Sequence, residues 1–222
     1  MGYAMAARTQ GGPEVIHRIE IGEITPAAGE VVIEHQAIGI NFIDIYIRTG
    51  AYPWPVDGNL ILGSEGAGVV TAVGEGVSHV AVGDRVGYTL PNGAYATHRA
   101  INADLVVKLP DVISSEVAAA IMLKGLTVAY LLNDSYAVKP GDTVLFHAAA
   151  GGVGLLACQW ARAMGVKLIG TAGTAEKCQL ALDNGATHCI NYRDDNWVEQ
   201  VRDLSGGGVP VVYDSVGQAT LE

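Results

Sequence analysis

The chain has 222 residues, 50% hydrophobic and 16% charged, so it can form a sizeable core in one large or two small domains, and disorder is not expected. Its formal charge of −10, without any basic run, argues against a nucleic-acid partner. The sequence shows neither a secretory signal pattern nor an uninterrupted run of 18 apolar residues, so we expect a cytoplasmic protein without a membrane partner.

The first 120 residues are predicted to form short strands separated by turns that contain glycine and proline. The predicted strands are Glu30–Ala37, Gly66–Val73, Asp84–Tyr88 and Tyr95–Arg99. Their apolar alternation is only partial, which is typical of a closed or strongly curved β domain.

A helical pattern begins after Ser114, which suits an N-cap, and places Glu116 in the first turn. The apolar run that follows predicts one or two helices with a break near Lys124-Gly125. This segment leads into the second half of the chain.

The second half alternates strands and helices at about 20 residues per pair, the spacing that a right-handed parallel crossover needs. Strands are predicted at 143–147, 166–171, 187–191 and 209–213, and helices at 152–164, 175–184 and 195–204. In a doubly wound sheet the fourth strand lies beside the first, and two more strands extend beyond it. We therefore expect an incomplete Rossmann sheet in residues 124–222, with its C-terminal strands missing, behind a domain of residues 1–123.

A glycine-rich turn between the first predicted strand and helix of this half indicates a nucleotide site. Gly151 and Gly154 stand where bare backbone amides can hold a phosphate, although Ala149 replaces the first glycine of the usual pattern. The sequence therefore predicts a dinucleotide-binding domain.

The next strand end favours NADPH over NADH. The segment 170–174 has no acidic residue to accept from ribose hydroxyls, and Lys177 and Arg193 follow. Both cations could equally be ordinary surface charges.

The three cysteines, Cys158, Cys178 and Cys189, lack CxxC spacing, so reduced thiols are expected and a metal site is not.

Several stretches resemble the zinc-free quinone oxidoreductases of the medium-chain dehydrogenase/reductase superfamily, the ζ-crystallin-like group. The matching stretches are NFIDIYIRTGAY (41–52), LGSEGAGVVTAVGEGV (62–77), VGDRVGY (82–88), LKGLTVAYLL (123–132), the glycine turn from 141 to 162, and VVYDSVG (211–217). The resemblance implies a GroES-like β-rich domain followed by a Rossmann domain, with NADPH as cofactor and a homodimer as the full-length form.

The resemblance also implies cofactor-binding positions in both halves. They are Phe42, Asp44, Tyr46, Lys124, Thr127, Tyr130, Gly151, Gly152, Val153, Gly173, Thr174, Lys177, Tyr192 and Gly217. Zinc-dependent relatives of this family carry a cysteine at Asn41 and a His-Glu pair at Ser64-Glu65, and they have a cysteine lobe that is missing from this sequence after Val86. No metal is expected.

Without a metal, the substrate has to be an electrophile that accepts hydride readily, such as a quinone. We expect Asn41, Tyr46 and Tyr52 to be the catalytic polar lining, with Asp44 helping to orient them. Alternatively, Asn41 only caps a turn, Asp44 is a helix-start acid, and Tyr52 is a rim aromatic.

Two further groups are interpreted as structural. Glu65 is expected to be buried and paired, with Arg85 as the candidate partner. His147 is interpreted as a hydrogen-bonded imidazole at a strand end rather than a catalytic base.

The predicted function is an NADPH:quinone reductase that acts on a quinone or enone. A reductase of α,β-unsaturated carbonyls shares every motif and is the first alternative. A chain that binds NADPH without turnover is the second, and an accumulated structural protein is the third.

Overall fold

The computed structural model describes residues 2–218 and 220. Contacts divide the chain into two compact units, Met1–Leu123 and Lys124–Glu222.

The first unit is built mainly of antiparallel strands. Its elements are β1 (Gly2–Ala7), β2 (Ile16–Ile21), β3 (Glu30–Ile38), α1 (Phe42–Thr49), β4 (Leu60–Ile61), β5 (Glu65–Val73), β6 (Arg85–Thr89), β7 (His98–Asn102) and β8 (Val106–Lys108), with short 3-10 turns at Pro13–Val15 and Ala103–Leu105. They form a three-stranded sheet in the order β2-β1-β4 and a five-stranded sheet in the order β7-β3-β5-β6-β8.

The five-stranded sheet buries one row of β-branched side chains. Val31, Ile33, Val70 and Val86 are fully buried and pack with Tyr88. β3 and β5 pair with two register irregularities, which bend the strands as β-bulges do. The curved β domain that the partial alternation predicts is therefore present.

A helix of 16 residues, α2 (Ser115–Tyr130), ends in a π-helical turn, Leu131–Ser135. Ser114 accepts from the Val117 N–H at 3.2 Å, as its predicted N-cap role requires. The predicted break near Lys124-Gly125 is wrong, because one glycine costs a helix only about 1 kcal/mol and buried contacts at Ala118 and Val128 hold both ends.

The helical segment Ser115–Ser135 has 21 residues and a mean hydropathy of 1.5, enough by length and composition to cross a membrane. Apolar core helices of folded domains pass the same test. Ala118 and Ala119 belong to an apolar cluster of the first unit, and Val128 and Leu132 belong to the main cluster of the second. The helix therefore has a packing role within the fold.

The second unit is a parallel sheet with alternating helices. Its elements are β9 (Thr143–Phe146), α3 (Gly152–Met164), β10 (Lys167–Ala172), α4 (Ala175–Asp183), β11 (His188–Asn191), α5 (Trp197–Ser205) and β12 (Val212–Tyr213). The strand order is β11-β10-β9-β12, so the fourth strand lies beside the first, as a doubly wound sheet requires.

Successive residues of these strands point to opposite faces of the sheet. Val144, Phe146 and Leu168 pack into one cluster, whereas Leu145 and Ile169 pack into another with α5. Both faces are thus covered, as in other parallel sheets. The predicted α/β class is confirmed.

Candidate functional site

The turn from β9 to α3 is closely packed and opens onto uncapped backbone amides. A Cβ on Gly154 would lie 2.6 Å from the backbone Cα and C of Ala149, so only glycine fits there. Gly151 is the N-cap residue, and among the described residues no side chain caps α3 and no acid lies in its first turn. The first amides of α3 therefore remain available to an anion.

Lys124 lies against the same turn. A Cβ on Gly152 would come within 2.9 Å of Cδ and Cε of Lys124, so the lysine stem covers this glycine. Lys124, Thr127 and Tyr130 stand three residues apart on α2 and share a face of the helix. Val153 is half-buried against the main apolar cluster of the unit. The structure thus brings Lys124 to the glycine turn.

The residues predicted to surround the adenosine phosphate meet at the carboxyl ends of β10 and β11. Ala172 is in register with Asn191, and a Cβ on Gly173 would lie 2.8 Å from the Tyr192 hydroxyl. The Thr174 hydroxyl accepts from the Lys177 N–H at 3.3 Å and so caps α4. Gly173, Thr174, Lys177 and Tyr192 therefore lie together.

His147, at the end of β9, is held from two sides. Its Nδ1 lies 2.7 Å from the Thr171 hydroxyl, and its ring packs edge-on against Trp197 at 5.6 Å between centroids. Burial lowers the pKa of His147, and the nearby Asp214 carboxylate opposes that shift. These contacts are those of the structural imidazole that the sequence suggests.

Gly217 follows β12 in a left-handed conformation, with φ +79°. Its N–H donates to the Asp214 carboxylate at 3.2 Å, and the Val216 N–H does so at 2.7 Å. Gly217 therefore belongs to a tight turn at the same sheet edge that carries the glycine turn after β9.

In the first unit, Asn41 is buried and caps α1. Its N–H donates to the Asp44 carboxylate at 3.0 Å, and its Nδ2 donates to Glu65 at 2.7 Å. The other oxygen of Glu65 accepts from the Leu123 N–H at 2.8 Å. Asn41 thus has the geometry of a helix cap, and its contact with Glu65 is internal to the fold.

The predicted pairing of Glu65 with Arg85 is wrong. In the β5–β6 ladder Glu65 stands opposite Thr89, whereas Arg85 stands opposite Val69 at the far end of the pairing. The Arg85 guanidinium instead donates to the carbonyls of Pro110 and Ile113.

Asp44 connects α1 to residues that sequence reasoning missed. Its carboxylate accepts from the Ser64 hydroxyl at 2.6 Å and from the Tyr95 hydroxyl at 2.9 Å. Burial, followed by the Asp44 charge, raises the pKa of Tyr95. The Asn41–Asp44 spacing signals a capping box, but no local pattern in the sequence points to Ser64 or Tyr95 as partners.

Three aromatic side chains form an exposed patch on and after α1. Phe42, Tyr46 and Tyr52 are 71%, 42% and 48% exposed. Tyr46 lies 6.1 Å from Phe42 and 5.7 Å from Tyr52 between ring centroids, the latter edge to face. The patch offers flat apolar surface together with two phenol groups.

A separate cleft of about 550 Å³ in the first unit does not contain this patch. It is lined by His35, Ile38, Ile40, Tyr95 and neighbouring residues of β1 and β3, and none of the predicted site residues is part of its lining. Within residues 2–218 and 220, no cluster of three His, Cys, Asp or Glu side chains could hold a metal ion.

Two family models match the chain. Residues 27–111 match the alcohol dehydrogenase GroES-like domain, and residues 152–222 match the zinc-binding dehydrogenase domain. The GroES-like prediction for the first half and the Rossmann prediction for the second agree with these matches.

Curated relatives are similar over nearly the whole chain. A quinone oxidoreductase of Salmonella typhimurium is 56% identical over 96% of this chain and 65% of its own length. A quinone oxidoreductase of Pseudomonas aeruginosa is 51% identical over 98% of this chain and 69% of its own length. A 2-haloacrylate reductase of a Burkholderia species is 43% identical over 100% of this chain and 68% of its own length.

A solved structure shows the same fold. The Escherichia coli quinone oxidoreductase in complex with NADPH superposes with a TM-score of 0.93 and 53% identity, covering 97% of this chain and 67% of that one. This chain therefore spans about two thirds of the length of these four relatives.

Proposed function

We propose that this chain, which belongs to the quinone oxidoreductase family of the medium-chain dehydrogenase/reductase superfamily, binds NADPH through its second unit and serves the reduction of quinones. The single observation that carries the proposal is the start of α3. Its first amides are uncapped, and the backbone of Ala148 and Ala149 leaves no room for a side chain at Gly154.

The glycine turn fits a pyrophosphate for physical reasons. Backbone N–H groups at a helix start carry partial positive charge, and a phosphate can approach them only where no Cβ intervenes. The stem of Lys124 over Gly152 adds a cation whose ammonium group can neutralise a phosphate oxygen. These residues would hold the dinucleotide in place.

The adenosine end also fits a phosphorylated ribose. The strand end Ala172-Gly173-Thr174 carries no carboxylate, so a 2′-phosphate would not be repelled where NAD-binding domains place their acid. The Tyr192 hydroxyl, the Thr174 hydroxyl and the Lys177 ammonium are donors of the kind a phosphate binds.

When bound, NADPH would supply a hydride, and a quinone that takes it up together with a proton from water becomes a hydroquinone. Phe42 and Tyr46 offer faces against which a flat ring can pack, and the phenols of Tyr46 and Tyr52 can donate to a carbonyl oxygen as charge builds on it. We assign the hydrogen-bonding role to the two tyrosines and a scaffold role to Asn41.

The experiment follows NADPH consumption with 1,4-benzoquinone as acceptor. Wild type should turn over, and Tyr46→Phe or Tyr52→Phe should lower kcat/KM by about tenfold, the value of one donated hydrogen bond of about 1.4 kcal/mol. Tyr3→Phe, at an exposed tyrosine outside the patch, is the control and should leave kcat/KM unchanged. Absence of NADPH binding in the wild type would refute the proposal.

Reduction of activated alkenes is the second candidate, favoured by the similarity to a 2-haloacrylate reductase. A parallel assay with 2-alkenals and 2-haloacrylates, compared with benzoquinone through kcat/KM, distinguishes the two activities. A higher kcat/KM for the alkenes would replace quinones as the proposed substrate class.

Binding without turnover would leave the nucleotide site intact. Calorimetry with NADPH and with 2′-phospho-ADP-ribose tests for binding without turnover, because equal affinities indicate that only the adenosine half of NADPH is held.

The cytoplasmic location and the homodimer stay predictions. Cell fractionation tests the location, and sedimentation tests the homodimer.

A further inference from the structure

The bend that joins β9 to α3 contains a residue in an unfavourable backbone conformation. Ala148 has φ +54°, in the left-handed region that a side chain with a Cβ atom disfavours. Its carbonyl accepts from the N–H of Gly151, the N-cap residue of α3, at 2.8 Å. Because a strained conformation persists only where its surroundings hold it, contacts beside Ala148 have to keep the bend in place.

Thr171, on the neighbouring strand β10, binds both residues that flank Ala148. Its hydroxyl lies 2.7 Å from Nδ1 of His147, and its carbonyl accepts from the Ala149 N–H at 3.0 Å. Thr171 is fully buried and His147 is 2% exposed, so water does not compete for the bond between their side chains. We call these two hydrogen bonds the Thr171 clamp.

The His147 side of the clamp is fixed by two further contacts. The His147 N–H donates to the Tyr213 carbonyl of β12 at 2.9 Å. Its ring packs edge-on against Trp197 of α5, with 5.6 Å between the ring centroids. The imidazole is therefore held toward Thr171, at the sheet edge that carries the glycine turn.

We propose that His147 is a positioning residue for NADPH binding. Through the Thr171 clamp it keeps Ala148 left-handed, and so holds the first amides of α3 where a pyrophosphate needs them. The role of His147 rests on the proposed NADPH-binding function. Without the bond between His147 and Thr171, the bend opens in part of the molecules, and the apparent affinity falls with the fraction that keeps the bend.

Three substitutions separate the hydrogen bond from the volume of the side chains. Thr171→Val keeps the shape of the side chain and the backbone bond to Ala149, but removes the hydroxyl. His147→Phe keeps a ring beside Trp197 but removes Nδ1. His147→Asn is the conservative variant, because its amide offers both a donor and an acceptor to the Thr171 hydroxyl. Thr143→Val is the matched control, since it makes the same chemical change at the opposite end of β9.

Ala148→Gly tests whether the clamp acts through the bend. Glycine adopts the left-handed region without a steric penalty, so a bend at glycine no longer needs the clamp. Adding Ala148→Gly to Thr171→Val should therefore restore NADPH binding. A general loss of packing around Thr171 would not be repaired by this second substitution.

Calorimetry of the wild type and these variants measures the dissociation constant of NADPH. We expect it to rise about fivefold in Thr171→Val and in His147→Phe. It should stay within about twofold of wild type in His147→Asn and Thr143→Val, and return to that range when Ala148→Gly is added to Thr171→Val. Without nucleotide, hydrogen exchange of the Gly151 amide should become about fivefold faster in Thr171→Val, and Ala148→Gly should reverse that rise.

Wild-type affinity in Thr171→Val overturns the role of His147 and leaves the proposed function standing. A loss that Ala148→Gly does not repair also overturns it, because the hydrogen bond would then stabilise the sheet without positioning the bend. So does an equal loss in Thr143→Val. If His147→Phe does not fold, Thr171→Val and its rescue decide the question. Wild type that does not bind NADPH overturns the proposed function itself, and the role of His147 with it.

Discussion

Asp44 joins the start of α1 to two distant parts of the first unit. It is 4% exposed and accepts hydrogen bonds from the Asn41 N–H, the Ser64 hydroxyl and the Tyr95 hydroxyl. A buried carboxylate is tolerated only when donors of this kind satisfy it. The position of α1, and with it the position of Tyr46, therefore depends on the Asp44 side chain.

Asp44→Asn should destabilise the protein by about 2–4 kcal/mol, because an amide offers one acceptor oxygen and turns an N–H₂ group toward buried donors. Urea unfolding followed by circular dichroism measures the loss. Asp57→Asn, in an exposed loop, makes the same chemical change and should have little effect. Equal stability of the two variants would show that Asp44 does not organise α1.

His35 makes the stability of the first unit sensitive to acid. Its Nδ1 lies 2.7 Å from the Ala96 carbonyl and its Nε2 lies 2.7 Å from the Tyr88 hydroxyl, so both ring nitrogens are engaged. Burial lowers the pKa of His35 from 6.5 to about 4, although the bond to Ala96 opposes the shift. The neutral ring is thus the form that fits the fold.

The free energy of unfolding should therefore fall as the pH drops from 6.5 to 4, because in that window the unfolded chain binds a proton that the folded chain does not. The loss should reach about 3 kcal/mol and level off at lower pH. His35→Gln keeps a donor and an acceptor but cannot be protonated. The difference between the pH profiles of the wild type and this variant isolates His35, and parallel profiles would contradict the prediction.

Gly154 and Gly125 both lie inside helices, but only Gly154 is closely packed. Replacing each by alanine therefore distinguishes the effect of close packing on stability from the conformational cost of a glycine in a helix. Gly154 in α3 lies against the backbone of Ala149. Around Gly125 in α2, in contrast, no described atom lies within 4 Å of an added Cβ, apart from its chain neighbours and the backbone of its own helix. Gly154→Ala should cost about 3 kcal/mol, since backbone atoms cannot move aside. Gly125→Ala should stabilise the protein by about 0.5–1 kcal/mol.

Thermal and urea unfolding of the two alanine variants provide the measurement. Because the substitution is the same, the opposite signs cannot come from side-chain chemistry. A tolerated Gly154→Ala would mean that the turn after β9 is looser than the structure describes.

At the level of elements, the second unit follows from the sequence because its signals are local. Buried strands such as Val144–Phe146 stand next to glycines and caps that begin and end each helix, and Gly165 ends α3 with φ +73°. The strand order then follows from the general rule for doubly wound sheets. The clustering of Gly173, Thr174 and Lys177 could be predicted for the same reason.

The first unit was harder to predict because non-local pairing decides its strands. β1 is rich in alanine and has weak β-propensity, yet it pairs with β2 and β4. β7 begins at His98, three residues after the predicted start at Tyr95, because the segment before it bridges β1 through Ala96. The contacts of Asp44 with Ser64 and Tyr95 escaped prediction in the same way, since only the folded chain brings them together.

For the molecule as a whole, net charge acts on any anionic ligand before local contacts form. The chain carries a formal charge of −10 and has an isoelectric point near 4.9. Such a field repels a dinucleotide phosphate over roughly 30 Å at about 0.01 M salt, but only over roughly 8 Å at about 0.15 M salt. The cations at the site, Lys124 and Lys177, act at shorter range.

The association rate constant of NADPH should therefore rise about two- to fivefold between about 0.01 and 0.15 M KCl, because screening removes the long-range repulsion. Stopped-flow mixing with fluorescence detection measures it, and NADH, which carries less charge, should show a smaller rise. The dissociation rate constant should also increase, since salt weakens the local pairs with Lys124 and Lys177. An association rate constant that falls with salt would show that the positive side chains at the site, and not the net charge, control the approach of the nucleotide.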